Sequence, residues 1–140
     1  MQKRIVHTAV LVIVTACVSI ACSAGSARTP EKAPAPEGRN VEATAVVKEI
    51  YELAIARRCS AIPPKLTAEF RSAVGSTDEE LEALCDSLTD SRKISSVDIR
   101  GASIAQGKGT VRVALTHRDG RVEEKDERVM LESGTWLMDS

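Results

Sequence analysis

Aromatic residues are nearly absent from this chain of 140 residues, which has one Trp, one Tyr and one Phe. A core without large rings must be built from aliphatic side chains. The stabilisation from such a small core exceeds the conformational-entropy cost of folding by only a little. The length and composition therefore predict one small domain that would benefit from a covalent crosslink.

A strong charge of either sign is also missing. The formal net charge is −1, and loss of a segment containing Lys3 and Arg4 would leave 17 of the 19 basic residues against 20 acidic ones. This mixed composition lacks the basic excess typical of nucleic-acid binding, and no run of Lys and Arg would attract anionic lipid headgroups. We therefore expect no nucleic-acid partner, and we expect membrane attachment to depend on a lipid.

Motifs for catalysis, cofactors and metals are missing as well. The chain has no Ser/His/Asp arrangement, no phosphate loop and no zinc-ligand spacing. The run from Glu123 to Arg128 alternates in sign, which is typical of a solvated strand face or a protected sheet edge rather than a metal site. We predict no catalytic residue, no cofactor and no metal.

A basic head and an apolar stretch begin the sequence. Lys3 and Arg4 precede Ile5–Ala21, where His7 is the only ionisable side chain, and this is the layout of an export signal. The stretch is at the short limit of the roughly 17–25 residues that span a bilayer. An uncleaved anchor and a simple secretory signal cut near Ala24 are the alternatives, and both would still export the domain.

Two cysteines in this region, Cys17 and Cys22, each follow an alanine. Both sites resemble the lipobox of bacterial lipoproteins, which has small or aliphatic residues before a cysteine that becomes acylated. Cys17 would leave the apolar Val18–Ala21 at the head of the mature chain, whereas Cys22 opens onto the polar Ser23–Ser26. We predict lipidation, with palmitate, at Cys22, and Cys17 is the alternative. The domain would then face outward from a membrane of the bacterial cell envelope.

The remaining sequence divides into a linker and a domain. Residues 22–40 are rich in Pro, Ala, Ser and Gly without an apolar period, which predicts a flexible linker after the signal peptide of residues 1–21. Residues 41–140 have the patterning of a folded domain. Its first predicted helix runs from Val41 to about Arg58, and its second begins at Pro63-Pro64 and ends at Gly75.

A capping box and an alternating pattern complete the predicted fold. Thr77 and Glu80 have the spacing of a capping box and predict the start of a third helix. After Lys93 the apolar residues alternate, which predicts four antiparallel strands reversed at glycine-containing turns. Val122 has the opposite parity to Val129 and Leu131, so we expect a bulge or an early register change in that strand. The fold class is α+β.

Helices followed by a meander that ends in Glu132–Asp139 resemble the nuclear transport factor 2-like superfamily, in particular its uncharacterised bacterial lipoprotein branch. Such domains typically finish with a turn glycine, a tryptophan, an aliphatic pair and an aspartate, here Gly134, Trp136, Leu137-Met138 and Asp139. The likeness covers residues 41–140. It implies three helices packed on a curved sheet of about four strands, which form a cone with an open mouth.

The same resemblance implies two functions. In some members the mouth binds small apolar molecules, and isomerase-type members use an Asp base with a Tyr and a second carboxyl. Tyr51 is the only tyrosine here, and Asp98 or Asp126 could supply a carboxylate to such a pocket. His117 lies beside a turn and is expected at the surface. We favour a non-enzymatic domain that binds an apolar ligand or an envelope protein. The alternative is a small isomerase- or hydrolase-like enzyme that uses a carboxylate in the cone.

Cys59 and Cys85 are a second point of likeness, because some exported members carry such a pair. In an oxidising compartment, two cysteines left in a small exported domain also tend to pair regardless of family. We therefore predict a Cys59–Cys85 disulfide. Two buried free thiols are the alternative.

Overall fold

The chain is described by a computed structural model for residues 37–140, with side chains from Asn40 onward. These residues form an α+β domain whose helices precede its strands, as predicted. The helices are α1 (Glu37–Ile55), α2 (Ala68–Val74) and α3 (Asp78–Leu88), with short 3₁₀ turns at Cys59–Ala61 and Pro63–Lys65. The strands are β1 (Ile94–Ala105), β2 (Lys108–His117), β3 (Val122–Glu132) and β4 (Thr135–Asp139).

The four strands form one open antiparallel meander in the order β1-β2-β3-β4. Strand β4 pairs only with Arg128–Glu132, so the first half of β3 is bonded to β2 on one side only. Helix α1 lies along the sheet against β1 and β4, whereas α3 packs beside α1 and the first 3₁₀ turn. The three helices and the four-stranded antiparallel sheet agree with the predicted α+β arrangement, although only α1 extends along the sheet.

Helix α1 begins at Glu37, four residues before the predicted start at Val41 and inside the predicted linker. Its buried stripe is Ala43, Val47, Ile50 and Tyr51, all fully enclosed. The helix ends at Ile55, where Arg57 takes a positive φ of 58° and the Arg58 amide bonds back to the Leu53 carbonyl. This left-handed cap stops the helix before the predicted end at Arg58.

The predicted second helix is two separate elements. Pro63–Lys65 forms only a 3₁₀ turn, because the chain then extends at Leu66 to bridge Met138 of β4. The Thr67 amide donates to the Met138 carbonyl at 2.9 Å, and the Thr67 hydroxyl accepts from the Phe70 amide to cap α2. A tertiary contact with β4 therefore overrides the local proline signal.

The capping box that begins α3 is present as predicted. Thr77 accepts from the Glu80 amide at 3.2 Å, and the Glu80 carboxylate accepts from the Thr77 amide at 2.9 Å. These hydrogen bonds, first from Thr77 and then from the Ser76 amide, hold the pKa of Glu80 below its ordinary value. The ionised carboxylate also suits the helix N-terminus.

The register irregularities lie in β1 rather than in β3. Shifts occur between Ile94 and Ser96 and between Ile99 and Gly101, whereas β3 pairs with β2 without interruption. Val122 therefore needs no bulge, and its side chain is 52% exposed. Irregularities in the long β1 add bend and twist to a strand that wraps the helices.

The core is aliphatic and lies between α1 and one face of the sheet, which we call the inner face. Its strand residues include Val97, Val111, Val113, Leu115 and Val129, each at most 6% exposed. Trp136 is 4% exposed on β4 and belongs to the same cluster, as predicted. Among the helices within residues 37–140, none combines the length and the apolar character needed to span a bilayer.

Candidate functional site

The first half of β3 places charged side chains on the inner face. Register sets Glu123 opposite Leu115, Lys125 opposite Val113 and Glu127 opposite Val111. Because side chains alternate along a strand, these three residues share the face of the buried Val129. The site that β3 offers is therefore a charged strip that continues an apolar surface.

Glu127 is the buried carboxylate of this strip, at 6% exposure. The fully buried Tyr51 donates its hydroxyl hydrogen to the Glu127 carboxylate, and the Lys125 ammonium lies 2.8 Å from the same carboxylate. Burial, and then the negative charge of Glu127, raise the pKa of Tyr51 well above its ordinary value. Tyr51 is therefore a protonated donor across the neutral pH range.

His117 belongs to the same face and is buried, which corrects the prediction of a surface histidine. It is 2% exposed, its Nε2 lies 3.2 Å from Glu123 Oε2, and its Nδ1 lies 3.2 Å from Arg121 Nη2. Every second residue of β2 faces inward. His117 is two residues after Leu115, so it also faces inward and lies beneath the turn. Its backbone amide closes that turn by donating to the Arg121 carbonyl.

A groove lies between the helices and this part of β3, and we call it the α2–α3 groove. Its volume is about 450 Å³, within the range of roughly 300–1,000 Å³ typical of small-molecule sites. Helices α2 and α3 contribute a mostly apolar wall, and β3 with β4 contributes a polar one. The lining residues used below are Phe70, Val74, Leu84, Ser87, Lys125 and Glu127.

The sheet beneath α1 is filled rather than open. Val47, Ile50 and Tyr51 of α1 are fully buried against Val111 and Val113 of the sheet. The Tyr51 ring fills the space next to Glu127, so the inward carboxylate meets a tyrosine hydroxyl rather than an enclosed cavity. The accessible part of this end of the domain is the groove.

The two carboxylates that the sequence suggested for a pocket do not lie on the inner face. Asp98 is exposed and opposite Ala114. Asp126 is exposed and accepts two hydrogen bonds from Arg112, at 2.8 and 3.2 Å, which lower the pKa of the Asp126 carboxyl. Asp98 and Asp126 therefore belong to the outer face, although Asp126 also lines the α2–α3 groove. The inward carboxylate is the neighbouring Glu127.

The structure contains a disulfide between Cys59 and Cys85, the predicted pair. Their Cα atoms are 5.9 Å apart, and the bond joins the turn after α1 to the middle of α3. Arg57 pairs with Glu82 and Asp86 on the same helix turn. The predicted lipidation sites, Cys17 and Cys22, lie outside the described residues.

Comparison with known proteins adds fold information. No protein-family profile and no curated protein matches the chain. Two solved structures resemble it. A protein from Campylobacter jejuni named as an NTF2-like transpeptidase is 12% identical, covers 69% of this chain and 95% of its own, and has a TM-score of 0.48.

The second structure is a SEC-C motif-containing protein from Rhodopseudomonas palustris. It is 13% identical over 69% of this chain and 73% of its own, with a TM-score of 0.52. The two chains share a fold.

Proposed function

We propose that the chain is a bacterial lipoprotein whose nuclear transport factor 2-like domain binds a small apolar molecule in the α2–α3 groove. The protein would be held by an acyl chain on Cys22, with the domain facing outward in the cell envelope. The groove carries this proposal: its size suits a small ligand, and Phe70, Val74 and Leu84 give it an apolar wall. Lys125 would contact a polar end of the ligand.

A non-enzymatic role agrees best with the groups beneath the groove. A general acid or base works best with a pKa near the operating pH, and the pKa of Tyr51 is shifted away from it. Glu127 is already bonded to Tyr51 and paired with Lys125. These contacts support a fixed, structural carboxylate rather than one free to move a proton.

The runner-up is an isomerase- or hydrolase-like enzyme that uses Glu127. One observation favours it, namely that Glu127 is an inward carboxylate beside a tyrosine at the edge of a groove. Tyr51 and Lys125 both contact Oε1 of Glu127, so in that case Oε2 would be the oxygen that receives the proton. Turnover of an apolar carbonyl or ester probe that is lost in Glu127→Gln would favour the enzyme.

Photolabelling tests the binding proposal. Membranes from cells producing the full chain are incubated with a diazirine-bearing fatty acid, irradiated and analysed by peptide mass spectrometry. We expect labelled peptides from the groove walls. Ser87→Trp should reduce this labelling severalfold, because Ser87 is an exposed groove residue whose enlargement fills the site.

Ser72→Trp is the matched control, since Ser72 is an exposed helical serine on α2 that does not line the groove. Labelling that is unaffected by Ser87→Trp, or reduced equally by both variants, would contradict an apolar site in the groove. Labelling confined to other surfaces would do the same.

A further inference from the structure

Three arginines that are far apart in sequence line one cavity. Arg57 follows α1, Arg92 lies in the turn between α3 and β1, and Arg118 lies in the turn between β2 and β3. The cavity has a volume of about 180 Å³, below the roughly 300 Å³ at which typical small-molecule pockets begin. Its size therefore suits an ion or a small headgroup.

The charges around this cavity do not balance. Arg57 Nη1 lies 2.7 Å from Asp86 Oδ1, and its other terminal nitrogen contacts Glu82. Arg92 Nε is 3.7 Å from the same Asp86 oxygen. Within residues 37–140, no carboxylate forms an ion pair with Arg118. Three guanidiniums thus face two carboxylates, which leaves an excess positive charge.

The other residues that line the cavity strengthen the attraction between this positive charge and an anion. Ala54, Ile55 and Ile94 supply an apolar base, and an apolar surround weakens solvent screening of an ion held against it. Thr89 also lines the cavity, but its hydroxyl donates to the Cys85 carbonyl at 2.7 Å. The guanidinium groups are therefore the main donors available to an anion.

The backbone at two of the arginines is unusual. Arg57 has a φ of 58° and Arg92 has a φ of 74°. The φ angles of Asp90 and Ser91, just before Arg92, are also positive. Residues with a side chain rarely adopt this region, in which glycine is the favoured residue. Arginine at both positions places a guanidinium at the cavity where glycine would form the turn more easily. Such outliers concentrate at functional sites.

We propose that the Arg57–Arg92–Arg118 cavity binds a phosphate-type oxyanion. Arginine presents a planar fork of donors that matches phosphate oxygens. The fork of Arg118 has no carboxylate partner within the described residues, and the N–H groups of Arg92 and Arg57 that do not contact Asp86 or Glu82 would complete a tetrahedral site. Asp86 already occupies the carboxylate position between Arg57 and Arg92. Free phosphate and the phosphodiester of an anionic lipid headgroup share this chemistry. The site is separate from the α2–α3 groove.

Calorimetric titration of the full chain, purified in neutral detergent, tests the proposal. Sodium phosphate and glycerophosphoglycerol, the deacylated headgroup of phosphatidylglycerol, are titrated separately at an ionic strength held constant with sodium chloride. We expect saturable binding of at least one of them. Tighter binding of phosphate would indicate a free-phosphate site, and tighter binding of glycerophosphoglycerol would indicate a lipid headgroup.

Arg118→Gln should weaken that binding by about tenfold, because one charged hydrogen-bonding group is lost. Arg118 is exposed and unpaired within the described residues, so its replacement should leave the far-ultraviolet dichroism unchanged. Arg92→Gln is a second variant with the same expected direction. Arg100→Gln removes an equal charge from the sheet beside Glu124 and should change the affinity less than twofold. Absence of saturable binding, or equal weakening by Arg118→Gln and Arg100→Gln, would overturn the proposal.

Discussion

At the scale of single residues, polar side chains on the inner face are stabilised by specific partners. A buried carboxylate is costly unless it is bonded, and Glu127 has Tyr51 and Lys125. His117 is enclosed between Glu123 and Arg121 in the same way. The inner face of β3 therefore changes from apolar to charged without leaving these groups unpaired. Inward charges also protect the half of β3 that β4 does not cover.

Alkaline titration should report on the Tyr51–Glu127 contact. In the unfolded chain Tyr51 ionises near its ordinary pKa of 10.0, whereas in the folded chain its pKa is raised. Between those two values the unfolded state has lost a proton that the folded state keeps. The free energy of unfolding should therefore decrease as pH rises above about 10, by about 1.4 kcal/mol per unit from this group.

The chain has a single tyrosine, so its ionisation can be followed directly by tyrosinate absorbance. At about pH 11 the folded chain should show little tyrosinate and the chain in denaturant should show nearly complete ionisation. Tyr51→Phe should lower stability by about 1.5–3 kcal/mol at neutral pH and remove this part of the alkaline dependence. Ionisation of the folded chain near pH 10 would refute the buried contact.

Sequence parity contained the information for these residues. Glu127 has the parity of Val129, and His117 that of Leu115, so both belong on the inner face once no bulge intervenes. The bulge prediction was wrong because it took Val122 as a buried residue, and the His117 prediction was wrong because it placed a residue beside a turn at the surface. Val122 is instead an exposed apolar residue at the start of β3. Hydrophobicity alone does not tell whether a residue near a strand end is covered.

At the scale of elements, strong local signals were reliable and tertiary contacts decided the rest. The capping box predicted the start of α3, and alternation with turn glycines predicted four strands. The break at Leu66–Thr67 depends on pairing with Met138, more than seventy positions away, and no local pattern contains it. The groove and the arginine cavity likewise combine residues from separate elements.

Trp136 should be important for attaching β4 to the helices. It is 4% exposed and opposite Leu131, and Trp136→Ala should lower the free energy of unfolding by about 3–5 kcal/mol in chemical denaturation. Its indole N–H has no hydrogen-bond partner within residues 37–140. Trp136→Phe should therefore lower the free energy of unfolding by less, because it keeps an aromatic ring and breaks no hydrogen bond. A loss below 1 kcal/mol for the alanine variant would place the side chain at the surface.

The disulfide should contribute a large share of the domain's stability. It closes a loop with a sequence separation of 26, which restricts the unfolded chain and stabilises by about 3–4 kcal/mol in the chain-entropy model. Reduction of the full chain should lower the denaturation midpoint accordingly. The Cys59→Ala, Cys85→Ala double variant should match the reduced protein and no longer respond to reductant. Titration of two free thiols in the unreduced protein would show that the bond does not form.

At the scale of the whole molecule, the sequence suggests where the protein works more clearly than what it binds. The sequence predicts a binding role but no particular ligand. The structure adds two places where a ligand would fit, with different chemistry. One is a groove with an apolar wall, and the other is a small cavity lined by arginines. Ligands for both can occur in a membrane environment, which makes the mode of attachment the decisive property to test.

Lipidation at Cys22 should determine where the protein resides. Cys22 follows small residues and precedes Ser23–Ser26, so acylation there would give a short polar tether between the membrane and the domain. Cys22→Ala should remove the lipid from the intact mass and move the chain out of the detergent phase. Cys17→Ala should change neither, because cleavage before Cys22 would remove Cys17. The reverse result would assign the lipid to Cys17. Membrane retention of a variant that carries both Cys17→Ala and Cys22→Ala would instead indicate an uncleaved anchor, because neither candidate cysteine could then carry an acyl chain.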